Sequence, residues 1–123
     1  MSQRFPSVID TEILIPNSLR IELKIDANLD FFDGHFPSTP ILPGVTQVHL
    51  AEYYGRKLMP HLIPAQKYFS ALETLKFQEV IRPGNTVTLC LTYMIEKQKL
   101  YFKFSSATKQ YSAGRIAFNS IQT

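Results

Sequence analysis

The chain is 123 residues long, carries a formal charge of +3 and contains one cysteine, Cys90. That length holds one domain, spanning 1–123, able to bury roughly two-thirds of its unfolded surface. A single cysteine excludes an intrachain disulfide and a thiolate metal cage. The Lys and Arg residues are scattered, without the basic stripe or motif of a nucleic-acid binder; a slight positive bias suits an acidic partner.

The opening Met1-Ser2-Gln3-Arg4-Phe5-Pro6 lacks the apolar stretch of a secretory signal. No apolar run approaches the roughly 20 residues of a membrane span, so a reducing, cytoplasmic address is expected. The first strand comes from Leu19, Ile21, Leu23 and Ile25, alternating with Arg20, Glu22, Lys24 and Asp26; a period of two describes a strand buried on one face. Asp30 to Gly44 contains Pro37, Pro40 and Pro43 with Gly34 and Gly44, which excludes a long helix and reads as a stiff loop.

The spacing predicts one long helix from about Gly44 to Leu58. Val45 to Ala51 carries no Lys, Arg, Asp or Glu, so the helix is expected to be buried on most sides. Arg56 and Lys57 suit its C-terminal end, and Pro60 stops it. Antiparallel strands follow. One, from Tyr68 to Glu79, has room for a bend and leads to a turn at Arg82-Pro83-Gly84-Asn85. Val87 to Ile95 alternates strictly, Glu96 to Lys99 marks a hairpin, and Leu100–Phe104 and Tyr111–Phe118 complete the sheet. One helix against one antiparallel sheet is an α+β arrangement, in which the sheet must curl around the helix; a two-fold dimer would protect an edge strand.

The chemistry concentrates in Phe31-Phe32-Asp33-Gly34-His35-Phe36-Pro37-Ser38-Thr39-Pro40-Ile41-Leu42-Pro43-Gly44-Val45. A histidine in a stiff loop leads directly into a helix N-terminus. Removing a proton next to a thioester carbonyl needs a base within reach of C2 and donors aimed at the carbonyl oxygen. The unpaired amides at a helix start supply such donors, and Gly44 would let a substrate approach the backbone closely.

Gly34-His35-Phe36-Pro37 followed by Pro40-Ile41-Leu42-Pro43-Gly44-Val45 closely resembles the signature of the 3-hydroxyacyl-acyl carrier protein dehydratases. Lys76-Phe77 with Ile81-Arg82-Pro83-Gly84-Asn85 looks like that family's strand-ending landmark, and Ser112 to Phe118 is similar to its small-residue closing strand. The resemblance spans Leu19 to Phe118. It implies a hotdog fold, an antiparallel sheet wrapped around one central helix, with active sites at a dimer interface. It implies reversible dehydration of a 3-hydroxyacyl thioester to the 2-enoyl thioester, on an acyl carrier protein or coenzyme A. His35 would take the C2 proton and the Gly44 amide would hold the carbonyl oxygen. Phe32, Phe36, Pro43 and Val45 would bind substrate, and Phe31 flanks the same loop. No metal and no cofactor are implied beyond the phosphopantetheine or coenzyme A carried by the substrate.

The sequence departs from this family at one position. The family's acid, which sits on the central helix of the opposite subunit and helps the hydroxyl leave, lies fourteen residues after the histidine, and here that residue is His49. Gln47-Val48-His49 looks like the dehydratases of aryl polyene biosynthesis. Two readings stay open. Either a protonated His49 replaces the acid, with Glu52 one turn away favouring the cation, or the acid is missing and the subunit is weak alone, working as a non-catalytic member of a heterodimer with a related hotdog subunit. His49 and Glu52 could equally form a buried structural pair, and Gln47 is expected to bridge loop and helix. A hotdog thioesterase is the rival chemistry, since fold alone does not choose a reaction.

Overall fold

The computed structural model describes residues 3–29 and 40–120; the expectations placed on Phe31, Phe32, His35 and Phe36 lie outside the described residues. Among those described, the elements are β1 (Ser7–Ile15), β2 (Ser18–Lys24), α1 (Gly44–Leu58), β3 (Lys67–Phe77), β4 (Thr86–Met94), β5 (Lys99–Ser105) and β6 (Gln110–Ser120). The strands form one antiparallel sheet in the order β1-β2-β4-β5-β6-β3. This is the α+β hotdog arrangement, with β1 and β3 as its edges.

The inward residues of β2, β4 and β5 follow the period of two: Leu19, Ile21 and Leu23, then Val87, Leu89, Leu91 and Tyr93, then Leu100, Phe102 and Phe104. They join Val48, Leu50, Ala51 and Tyr54 of α1 in one core. Gly55 permits the close approach of helix to sheet, since a Cβ there would stand 2.7 Å from a methyl group of Leu100. The Pro-Gly turn forms as expected. Gly84 has φ +90° and its amide donates to the Ile25 carbonyl at 2.6 Å, locking the turn onto the end of β2. No described helix is long and apolar enough to cross a membrane.

Two expectations need correction. The strand β1 was not anticipated. It is an edge strand with two register shifts against β2 and with Val8, Ile9, Ile13 and Leu14 exposed, so neither of its faces carries the alternation that marks a buried strand. The helix is also less enclosed than its uncharged start suggested. Gln47, Val48, Leu50, Ala51, Tyr54 and Gly55 are buried, but Val45 is 78% exposed and His49 is exposed as well.

A buried polar link ties the start of α1 to the sheet. The Ser112 hydroxyl on β6 donates to Gln47 Oε1 at 2.6 Å. Gln47 Nε2 donates in turn to the Leu42 carbonyl at 3.1 Å, and the Leu42 amide donates to the Ile81 carbonyl at 2.7 Å. Gln47 and Ser112 are the two buried polar residues among those described. The segment entering the helix is thereby held from both sides.

The edge strand β3 is bent by two bulges. Its register with β6 shifts between Phe69 and Ala71 and again between Glu73 and Lys76. Before the second bulge, Glu73 receives hydrogen bonds from Lys99 and Arg115, which hold its carboxyl below the usual range. The bulge contains Thr74 at φ +50°, a left-handed conformation that a β-branched residue rarely adopts. As a result Phe69, Leu72, Leu75 and Phe77 share the inward side, at a spacing no regular strand could give.

Replacing Gln47 with Leu strips the Ser112 hydroxyl and the Leu42 carbonyl of their partner in a dry setting. A loss of about 2 kcal/mol is expected, and a denaturant midpoint equal to wild type would show that the link carries no stability. Thr74→Asn keeps the bulge in a residue that tolerates the left-handed region, so stability should rise by about 0.5–1 kcal/mol; an unchanged or lowered melting temperature would count against strain at this position.

Candidate active site

Helix α1 begins without a side-chain cap. Pro43, at φ −61° and ψ 151°, is extended, makes no capping hydrogen bond, and no acidic residue stands in the first turn. The Pro43 carbonyl accepts the Gln47 amide at 3.1 Å. The Leu42 carbonyl, which the Thr46 amide would reach in a continued helix, accepts instead from the Gln47 side chain. The first turn therefore presents backbone N–H groups at the positive end of the helix dipole, a setting suited to an oxygen that gains negative charge.

This helix start opens into a pocket of about 440 Å³, lined by Gly44, Val45, Val48, His49 and Glu52 of α1 and by Phe69, Leu72, Leu75 and Phe77 of β3. Val45, His49 and Glu52 are spaced i, i+4, i+7 and so share a helix face. His49 lies five residues beyond Gly44, about 7.5 Å further along the axis. Helical side chains lean toward the N-terminus, which brings an imidazole at this position back over the first turn. The pocket thus joins the first backbone amides of the helix, an imidazole and an apolar wall.

Several sequence-derived candidates meet here and others do not. Gly44, Val45, His49 and Glu52 line the pocket; Pro43 precedes the helix and is not among the lining residues. Gln47 points the other way, into the core, where it makes the link to Ser112. Glu52 is engaged by Arg56, whose Nε lies 3.0 Å from its carboxylate. Arg56 also donates to the Pro64 carbonyl at 3.2 Å and stands 5.2 Å from the centre of the Phe118 ring. The expected support of a His49 cation by Glu52 therefore competes with an ion pair already formed. That same ion pair makes Arg56 part of the helix's own packing. Lys57 lies over the Tyr53 ring at 5.6 Å.

On one side of Gly44, where a side chain would stand, the room is taken by β3. A Cβ built on Gly44 would stand 2.5 Å from Cζ of Phe77, so the ring of Phe77 fills the room that the missing side chain provides. Phe77 and the rest of the β3 wall were not expected at the site. Their signal was concealed because both bulges break the alternation that marks an inward face. The outward face of the sheet holds Cys90, half-buried between Thr88 and Thr92 as a small packing residue, and His61 lies exposed beyond the helix.

Known proteins share this fold. A family model described as ApeI-like, ApeI dehydratase, matches residues 12–115. The dehydratase heterocomplex ApeI:P from Xenorhabdus doucetiae superposes with a TM-score of 0.83 at 34% identity, covering 92% of this chain and 96% of that one. The 3-hydroxyacyl-[acyl-carrier-protein] dehydratase FabZ of Fusobacterium nucleatum is 35% identical over 86 residues, which are 69% of this chain and 58% of that enzyme. FabZ of Oenococcus oeni is 31% identical over 75% of this chain and 70% of its own. The R-hydratase PhaJ1 from Pseudomonas aeruginosa, at 12% identity and a TM-score of 0.59 with 93% of this chain and 90% of that one covered, shares the fold. With a hotdog sheet around α1 and a family match spanning nearly all of that sheet, the chain belongs to the ApeI-like dehydratases, within the 3-hydroxyacyl-acyl carrier protein dehydratase family.

Proposed function

We propose that the protein dehydrates 3-hydroxyacyl thioesters carried by an acyl carrier protein to trans-2-enoyl thioesters. The observation that carries this reading is the uncapped start of α1 opening, with His49 on the same helix face, into one apolar pocket. The thioester carbonyl accepts from the Gly44 amide, so the charge that develops on the oxygen as C2 loses its proton meets a fixed dipole. His35 is assigned the proton abstraction from C2, on its place in the Gly-His-Phe-Pro motif. As the C2 electron pair forms the double bond, the C3–O bond breaks and the hydroxyl leaves as water with a proton from His49. Proton exchange with solvent then returns both histidines to their starting forms. The thioester itself acidifies C2, so the chemistry asks for no metal or redox cofactor; Pro43 and Val45 flank the carbonyl, and Phe32 and Phe36 are assigned to the acyl chain.

A second copy, or a related hotdog subunit, is the partner that best suits the open side of the helix. Val45 together with Phe69, Leu72, Leu75 and Phe77 forms an exposed apolar face beside the free edge of β3. Burying it removes apolar area from water and pairs the free strand edge. The likeness to one subunit of a heterocomplex and the histidine in place of the usual acid favour a second form of this reading, in which full activity needs a related partner subunit.

The test is enoyl formation by the purified protein with 3-hydroxyacyl carrier-protein thioesters. His35→Ala and His49→Ala should each lower kcat about a hundredfold or more while the fold persists. Full activity in His49→Ala removes it as the acid; wild-type inactivity that a co-purified hotdog partner reverses selects the heteromeric form. Inactivity under both conditions, or free-thiol release without enoyl product, defeats the dehydratase reading. Leu72→Lys should convert the assembly to monomers in sedimentation velocity with loss of turnover, and an unchanged assembly would place the interface elsewhere.

A further inference from the structure

We propose that Phe77 is a specificity-determining side chain of the thioester site, turned onto Gly44 by the bulge at Thr74 and acting there to exclude acyl groups substituted at C2. The inference rests on the dehydratase reading above. Its starting point is the register of β3. Glu73 stands opposite Arg115, whereas Lys76 stands opposite Ala113 and Phe77 opposite Ser112. Were the pairing regular beyond Glu73, Lys76 would face Ser112 on the inward side and Phe77 would point to the outer surface. The extra residue in the bulge reverses the two. An ammonium group is kept out of the pocket and a phenyl ring is placed in it.

The ring then meets the helix start. The end of Phe77, its Cζ and both Cε atoms, lies 2.5, 2.9 and 3.0 Å from where a Gly44 Cβ would be, so the aromatic tip rests directly against the Gly44 backbone. A thioester whose carbonyl accepts from the Gly44 amide has its C2 one bond from the anchored carbon. Substituents on C2 are therefore the first part of the acyl group to encounter the ring, before any contact made by the distal chain. Phe77 is only half covered within a single chain, at 51% exposure, and it lines the same pocket as His49. An unbranched C2 fits beside the ring; a methyl group there competes for the volume that Phe77 occupies. Discrimination of one methyl group by an apolar wall is worth about tenfold or more in kcat/KM.

The experiment compares kcat/KM for a 3-hydroxyacyl thioester and its 2-methyl counterpart on the assembled protein, in wild type, Phe77→Ala and Phe77→Leu. Wild type should favour the unbranched substrate by about tenfold or more, and both variants should narrow that ratio severalfold. Phe77→Leu keeps an apolar side chain and decides the matter should the alanine variant fail to fold. A companion set follows the Gly44→Ala variant, whose methyl group has no room against the ring; adding Phe77→Ala should restore part of the lost turnover and of the lost melting temperature. An unchanged substrate ratio in folded, active variants, or a Gly44→Ala defect that is the same with and without Phe77, overturns the proposal and leaves the dehydratase reading standing. Failure of wild type and its assemblies to convert the unbranched substrate overturns both.

Discussion

The buried chain of hydrogen bonds from Ser112 through Gln47 to Leu42 is the constraint on which the site depends. An amide side chain in a dry core is costly unless its donor and acceptor are both satisfied, and here each finds one partner, on a different structural element. The acceptor binds β6. The donor binds the segment that enters α1. Neither bond can be kept if the helix slides or rotates against the sheet, so the direction and depth of the helix start follow from them. Since Ser112 pairs with Phe77 across the β6–β3 register, the same rung that anchors the helix also carries the ring resting on Gly44.

This arrangement explains how one short helix meets opposite demands. Under the proposed reaction its first turn would have to be held rigidly, because a donor that stabilises developing charge works only if it need not reorganise. It must also leave its first amides free, which excludes the usual Ser, Thr, Asp or Asn cap. Gln47 resolves the conflict from inside the core. It occupies the Leu42 carbonyl from the buried side, a contact that fixes the turn without covering the amides on the open side. Pro43, with no N–H and a restricted φ, removes further freedom from the entering backbone.

Much of the fold was legible because its central strands are buried on one face only. Leu19 to Ile25 and Val87 to Met94 repeat with period two, and α1 begins and ends at the glycine and leucine that its spacing indicated. What escaped notice lies at the edges. In β1 both faces meet water, so Val8, Ile9, Ile13 and Leu14 follow no burial pattern. In β3 the inward set Phe69, Leu72, Leu75, Phe77 is spaced by three, three and two because of its bulges, and no simple period reveals it. The site was legible in part for a similar reason. Gly44 and His49 stand in or just after a contiguous motif and both line the pocket, but the partner of Gln47 is 65 residues away and the wall opposite Gly44 comes from a strand whose register the sequence does not display.

Gln47 and His49 illustrate how neighbouring polar residues divide between core and pocket. Two helical positions apart, they point to roughly opposite sides, one into the core and the other into the pocket. The environment then decides what each can contribute. Gln47 is neutral over the whole physiological range and has both hydrogen-bonding ends fully used, which suits a permanent anchor. His49 stands exposed in a pocket bordered by β3, where the proposed reaction would use its imidazole as a proton donor. Exchanging the two would leave a titratable ring in the core and an amide in the pocket. The helix thus uses its uncharged first two turns to separate a buried anchor from a pocket residue, and the apolar face left between them and β3 is the side on which the proposed second subunit would dock.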